Sequence, residues 1–271
     1  MDMLHADEYK DIKVYVSITS IFQKQNYLLQ TLSSIKDQTY KIDKCYIFLS
    51  DYAYLLDDGF KDRKITNENL LNFLYTHSDV FEVRWTKNIG PYRKLIPLLK
   101  EKLEENCVII TIDDDTVYDS SMVHIYLQEY ISNKCCIAGR FYTMEFDEIC
   151  NIVYDQCKNN SEIKSVYNFH TGKGGVLYHP SFFKETIGLM LDESLFLTEC
   201  KTADDVWFNF HRIANKIPCK TTRNFCTKDI TQSFSLYMNI NHHIDKNTNQ
   251  SYNTNAMRSV ARLLTNLGYD L

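Results

Sequence analysis

The segment Cys107, Val108, Ile109, Ile110, Thr111, Ile112 is short, apolar and largely β-branched, and it ends in three consecutive carboxylates, Asp113, Asp114 and Asp115. A bounded apolar run of this length reads as a buried strand. Three adjacent acids repel one another, so they require a cation, hydrogen-bond donors or a solvated turn. Oxygen ligands at this charge density suit magnesium or manganese, which leave further positions to water and substrate phosphates. In open α/β sheets ligands bind beyond the carboxyl ends of the strands, where these acids would stand. The alternative is a solvated acidic turn ahead of the next helix, with Asp119 or Ser120 as its N-cap.

The residues before the triplet alternate between strand and helix patterns. Val14 to Ile21, Cys45 to Leu49 and Val80 to Trp85 read as strands. Asn26 to Lys36 carries Leu28, Leu29, Leu32 and Ile35 at helical spacing, Thr66 to Tyr75 follows a cap at Thr66 or Asn67, and Tyr92 to Leu103 follows the turn Asn88-Ile89-Gly90-Pro91. This βαβα order predicts an α/β fold with a mostly parallel sheet. Past the acids, Met122 to Ile131 reads as helix and Cys135 to Ala138 as extended, whereas Phe141 to Asn168 gives no clear period. The glycine cluster Gly172-Lys173-Gly174-Gly175 leads into a strand at Val176 to Tyr178, and Pro180 opens a helix. Thr202 or Asp204 is placed to cap a helix bearing Val206, Trp207, Phe210 and Ile213. Thr227 to Asn255 reads as polar loop before a last helix from Asn255 to Leu267, whose Val260, Leu263, Leu264 and Leu267 pack on the parent domain or serve self-association or membrane contact.

At 271 residues, 44% hydrophobic and 24% charged, the chain can bury a full core as one α/β domain. A net charge of −5 without a dense Lys/Arg cluster argues against nucleic acid as a partner. The nine cysteines include no CxxC, which favours reduced thiols and a cytoplasmic setting over a disulfide scaffold or structural zinc. The acidic N-terminus lacks the basic and apolar regions of a signal peptide, and no apolar stretch is long enough to span a bilayer, so any membrane contact would be peripheral.

Taken in order, the polar end of the first strand, Asp51, the Lys87 to Pro91 turn, Lys94, the acid triplet, the glycine turn with Tyr178 and Pro180, and Ala203-Asp204-Asp205-Val206-Trp207 resemble the nucleotide-sugar glycosyltransferases of the GT-A fold. The likeness is greatest to family-2-like enzymes of surface-polysaccharide biosynthesis and covers about residues 13–215. It implies a Rossmann-like central sheet flanked by helices. Within a single domain spanning 1–271, residues 13–120 would bind the donor and residues 121–226 would form a smaller acceptor-side region, followed by a C-terminal loop and helix over 227–271.

The resemblance also implies roles. Asp115 is the direct Mn2+ or Mg2+ ligand, Asp113 holds the ribose or a metal-bound water, and Asp114 points into the fold or supports them from behind. Asp51 hydrogen-bonds the donor base, although an ordinary turn Asp reads the same. Thr19, Ser20, Lys87, Asn88, Gly90 and Lys94 complete the donor site, with Lys94 or Arg93 facing phosphates. Asp205 is the base that activates the acceptor hydroxyl in an inverting transfer, with Asp204 beside it; helix capping and favourable placement in the helix dipole account for the same pair. Gly174 and Gly175 let backbone pass close to the sugar or acceptor, Trp207 stacks on a sugar ring or belongs to the core, and His243 is a candidate further metal ligand. The donor is a nucleotide sugar, most simply a UDP-sugar, and the acceptor a glycan, glycolipid or glycoprotein. Two other readings stand: a sugar-nucleotide nucleotidyltransferase, which normally carries a glycine-rich basic loop absent from residues 13–40, and a non-catalytic binding protein of the same fold.

Overall fold

The structure, a computed structural model, describes residues 12–144, 152–154, 164–222, 227–230 and 244–271. Its first half is β1 (Lys13–Thr19), α1 (Gln25–Lys36), β2 (Lys44–Leu49), α2 (Glu68–Thr76), β3 (Phe81–Trp85), α3 (Ile96–Glu101) and β4 (Cys107–Ile112). The second half continues with β5 (Thr116–Tyr118), α4 (Met122–Asn133), β6 (Cys136–Ala138), β7 (Phe141–Thr143), β8 (Lys164–Ser165), β9 (Asn168–His170), β10 (Val176–Tyr178), α5 (Ile187–Met190), α6 (Glu193–Glu199), α7 (Asp204–Ala214) and β11 (Cys219–Thr221). Then come β12 (Thr227–Asp229), β13 (Ile244–Asp245), β14 (Gln250–Ser251) and α8 (Tyr252–Asn266).

Among the described residues the central sheet has eight strands in the order β3-β2-β1-β4-β10-β6-β11-β8. The first four are parallel, and β10 runs antiparallel to both β4 and β6. The fold is therefore α/β with a mostly parallel sheet flanked by helices, as the alternation of patterns requires. β4 is buried at every position because helices cover both faces of the sheet, and each large aliphatic side chain so buried contributes roughly 1.5–3 kcal/mol. Parallel pairing of β1 with β4 sets Ile18 opposite Ile112, which brings Ser20 level with the acids that follow β4. Leu28, Leu32 and Ile35 form the buried stripe of α1, and the Asn67 side chain accepts from the Leu70 N–H at 2.9 Å to cap α2.

Several boundaries depart from the sequence patterns for identifiable reasons. The helix expected over Tyr92 to Leu103 is a 3-10 turn, Gly90–Lys94, followed by the short α3; Pro97 has no N–H for the Arg93 carbonyl and its ring crowds that carbonyl, so the helix restarts. Neither Asp119 nor Ser120 caps α4: the N-cap is Ser121, and Asp119 accepts from the Ser121 N–H at 2.8 Å in a local turn. α7 has Ala203 at its N-cap, without a side-chain cap, and Asp204 is its first residue. The last helix starts at Tyr252 because Ser251 caps it through the Thr254 N–H, and the polar stretch before it contributes β12 against β5 and a β13–β14 pair. The six described cysteines are free and buried. No helix among the described residues is long and apolar enough to cross a membrane.

Candidate active site

A cavity of about 310 Å³ opens beyond the carboxyl ends of β1 and β4, a volume at the lower end of small-molecule sites. Thr19, Ser20, Gly90, Lys94, Asp113, Asp114, Asp115 and Asp204 line it, together with Lys24, Arg93 and the segment Tyr54–Asp57. Residues far apart in the chain meet here because β1 and β4 are adjacent and end at the same level.

The acid triplet divides between two lysines. Lys94 Nζ lies 2.9 Å from Asp113 Oδ1 and 3.0 Å from Asp204 Oδ2. Lys24 Nζ lies 3.1 Å from Asp114 Oδ1 and 2.8 Å from Asp115 Oδ2. Ser20 donates its hydroxyl to Asp114 Oδ2 at 2.6 Å, so Asp114 points inward. Burial works against ionisation of Asp113, but Lys94 overcomes it and holds that carboxyl below its ordinary range. Burial, reinforced by Asp115, leaves Asp114 raised despite Lys24. Both ammonium groups are held firmly protonated, because the paired carboxylates outweigh the burial that disfavours their charge.

The glycine turn closes over this arrangement. A Cβ at Gly172 would stand 2.8 Å from Lys94 Nζ and 3.0 Å from Asp113 Oδ1. Gly174 runs so close to the neighbouring strand end that a Cβ would meet the Arg140 amide nitrogen at 2.5 Å, and Gly175 has φ +76°. Asp205 Oδ2 accepts from the Gly172 N–H at 3.0 Å. Burial first, then the neighbouring Asp204, push the Asp205 carboxyl up to about 7, against the pull of Lys94 and of this hydrogen bond; Asp113 adds to the rise. A carboxyl poised there can take or give a proton near neutral pH.

Sequence reasoning missed Asp57, which anchors the other wall. Its Oδ2 accepts from Arg93 Nη2 at 2.9 Å and Asn88 Nδ2 at 3.0 Å, and its Oδ1 from the N–H groups of Phe22 and Gly59 at 3.1 and 3.0 Å. The Asp57-Asp58-Gly59 string was the available signal, but it reads as an ordinary turn. Asn88 is thus engaged in supporting the wall, and its Oδ1 accepts from the Gly90 N–H at 3.1 Å. Thr19 lines the cavity while donating its hydroxyl to the Phe48 carbonyl.

Other expected site residues lie elsewhere. Asp51 pairs with Arg63 Nε at 3.2 Å and is not among the cavity-lining residues, whereas Tyr54–Asp57 are. Lys87 is exposed and pairs with Glu193. Trp207 belongs to the core and not to an acceptor surface: it is fully buried and donates its indole N–H to the Met190 carbonyl at 3.2 Å, because α7 turns that position toward Phe196. His243 lies outside the described residues.

Among the described residues no three His, Cys, Asp or Glu side chains form a ready-made metal cage. The donor set nevertheless fits a hard divalent cation. Asp113 and Asp115 are cavity-lining carboxylates, and a cation of this kind takes one or two carboxylates plus water and phosphate. Asp113 and Asp204 pair with Lys94, and Asp114 and Asp115 with Lys24, four carboxylates to two ammonium groups. A diphosphate would not enter such a site without additional positive charge.

No family model matches the sequence, and no curated protein matches it. Solved structures do. TarS of S. aureus, residues 1–349 in complex with UDP, superposes with a TM-score of 0.50 at 14% identity over 79% of this chain and 58% of that one. The fold is GT-A. The chain thus spans less than two thirds of this TarS fragment, and 35% of the longer TarS chain that it matches at the same TM-score and identity. A 4-diphosphocytidyl-2C-methyl-D-erythritol synthase from Anaerococcus prevotii gives a TM-score of 0.49 at 12% identity over 78% of this chain and 87% of that one.

Proposed function

We propose that the protein is a metal-dependent, inverting glycosyltransferase that moves a sugar from a nucleotide-sugar donor, a UDP-sugar in the simplest case, to a glycan, glycolipid or glycoprotein acceptor. The observation that carries this reading is the Asp113–Lys94–Asp204 bridge. It joins the acids that follow β4 to Asp204, the first residue of α7, at one cavity, and the carboxyl of the next residue, Asp205, is pushed up to about 7.

In this reading Thr19, Ser20 and the Tyr54–Asp57 wall hold the nucleoside, while Gly90 lets the backbone approach it. Asp115 and Asp113 would hold the cation, which when bound supplies positive charge against the departing diphosphate. Asp205 accepts the proton of the acceptor hydroxyl as that oxygen forms its bond to the anomeric carbon. The anomeric carbon–oxygen bond to the diphosphate breaks with its electron pair on the β-phosphate, and the configuration inverts in one displacement. Burial and the neighbouring Asp204 keep the base in its raised range, against the pull of Lys94. The nucleotidyltransferase reading lacks its phosphate cradle: the β1–α1 connection, Ser20 to Lys24, contains no glycine.

Calorimetric titration with a panel of UDP-, GDP- and CDP-sugars and nucleoside triphosphates, with manganese and then with chelator, tests the proposal. Metal-dependent binding of one nucleoside diphosphate-sugar supports it. Binding of triphosphates alone overturns it in favour of nucleotidyl transfer.

A further inference from the structure

The two lysines of the site differ in how they are held. Lys94 is enclosed: its side chain is 8% exposed, Asp204 closes one side, and Gly172 passes directly over the ammonium. Lys24 sits at the end of a 3-10 turn, Phe22–Lys24, that has no side-chain cap. Its side chain is 14% exposed, it lines the cavity, and its ammonium bridges Asp114 and Asp115. Asp115 is the carboxylate assigned to the cation. A divalent ion and an ammonium cannot both lie about 3 Å from the same carboxylate oxygens without strong mutual repulsion.

We propose, resting on the glycosyltransferase reading, that Lys24 is a resident competitor of the metal and a ligand of the donor diphosphate. Without donor its ammonium occupies the Asp114–Asp115 pair and keeps cation affinity low. When the nucleoside diphosphate enters, its phosphates offer Lys24 a new counter-charge, and the vacated Asp115 takes the cation. Metal and donor then promote each other's binding through a lysine of the protein, in addition to any direct contact between them. By reciprocity, the factor by which donor tightens the metal through Lys24 is the factor by which metal tightens the donor. Lys94, walled in by Gly172, remains with Asp204 and Asp113 Oδ1 throughout, and Asp113 Oδ2 is the oxygen left to the cation.

The proposal makes an unusual demand, that deleting a positive charge improves one binding event and harms another. Manganese binding to the nucleotide-free protein, followed by the electron paramagnetic resonance of unbound ion, is expected to tighten at least tenfold in Lys24→Met and in Lys24→Gln. UDP binding at saturating manganese is expected to weaken about tenfold in the same proteins. Lys24→Arg, which keeps the charge, is expected to retain the weak manganese binding of the parent. Thermal melts with the same midpoint for all variants confirm that folded proteins are compared, and the two neutral substitutions differ enough in polarity that one survives if the other does not. Manganese affinity that is unchanged or lower in the neutral variants, or absent in parent and variants alike, overturns the proposal. A parent protein that binds no nucleoside diphosphate overturns the glycosyltransferase reading instead, and the manganese arm is read independently of it.

Discussion

The two halves of the central sheet are stabilised by different means. On the β3-β2-β1-β4 side the strands run five to seven residues in parallel, and their ladders and apolar faces suffice. On the β10-β6-β11-β8 side the strands are two or three residues long and of mixed direction. There a buried polar network takes over. Arg212 donates to the Asn168 carbonyl at 2.6 Å and the Val166 carbonyl at 3.0 Å, and Asn168 Nδ2 reaches the Cys219 carbonyl at 3.0 Å. Asn209 donates to the His170 and Asp205 carbonyls at 2.9 and 2.7 Å. The contrast teaches that the strands of the β3-β2-β1-β4 side are a product of apolar periodicity, whereas the position of Asp205 depends on a few specific hydrogen bonds.

The largest effect expected from testing this contrast falls on catalysis. Asp205→Asn keeps the shape and the neighbours, so UDP affinity should hold while transfer drops by roughly 10²–10⁴-fold, the usual weight of a positioned base. In the parent protein the rate should rise with pH through about 7, since the raised carboxyl, facing Asp204, Asp113, Lys94 and the Gly172 N–H, is ionised only above that point. Stability moves the other way: between the ordinary Asp value of 3.8 and about 7 the folded state holds a proton that the unfolded chain has released, so this group's contribution falls as pH rises. A rate profile flat from pH 5 to 9 would remove Asp205 from the role of base.

A paired substitution probes the halves themselves. Arg212→Met strips a buried cation from several carbonyls and should destabilise by about 2–4 kcal/mol, while Ile110→Val in the fully buried β4 should cost about 0.5–1.5 kcal/mol. Denaturant titration separates these, and near-equal losses would erase the proposed difference between the halves. The smallest effect concerns Asp51. Its ion pair with Arg63 is largely solvated, so Asp51→Ala should change stability by less than about 1 kcal/mol and leave UDP affinity within twofold. A tenfold loss of UDP affinity would restore Asp51 to the donor wall.

The same contrast explains what could be read before the structure. Up to Asp115 the strands and the helices α1 and α2 were legible because burial writes itself as apolar runs and helical spacing, whereas the helix expected over Tyr92 to Leu103 is interrupted at Pro97. Val176–Tyr178 was legible too, bracketed by Gly175 and Pro180. The network around Arg212, Asn168 and Asn209 was not, because polar residues used inside a fold have the composition of loops. Asp57 escaped for a related reason: its worth lies in four donors contributed by Phe22, Gly59, Asn88 and Arg93, and no local spacing records them. Trp207 was ambiguous in sequence between a sugar platform and a core ring, and only its burial against Phe196 and Met190 decides between them.

Gly172 also constrains the history open to this chain. With the ammonium of Lys94 2.8 Å from where a methyl would sit, and Asp113 oxygens at 3.0 and 3.3 Å, alanine at 172 would move the lysine's flexible end out of its present seat. A lineage that first shortened residue 94 would be free to accept a side chain at 172. One that tried the changes in the opposite order would first have to displace the ammonium of Lys94 from between Asp113 and Asp204. The two positions, 78 residues apart in sequence, should therefore vary as a pair and in one preferred order, a directionality imposed by the space of a single methyl group.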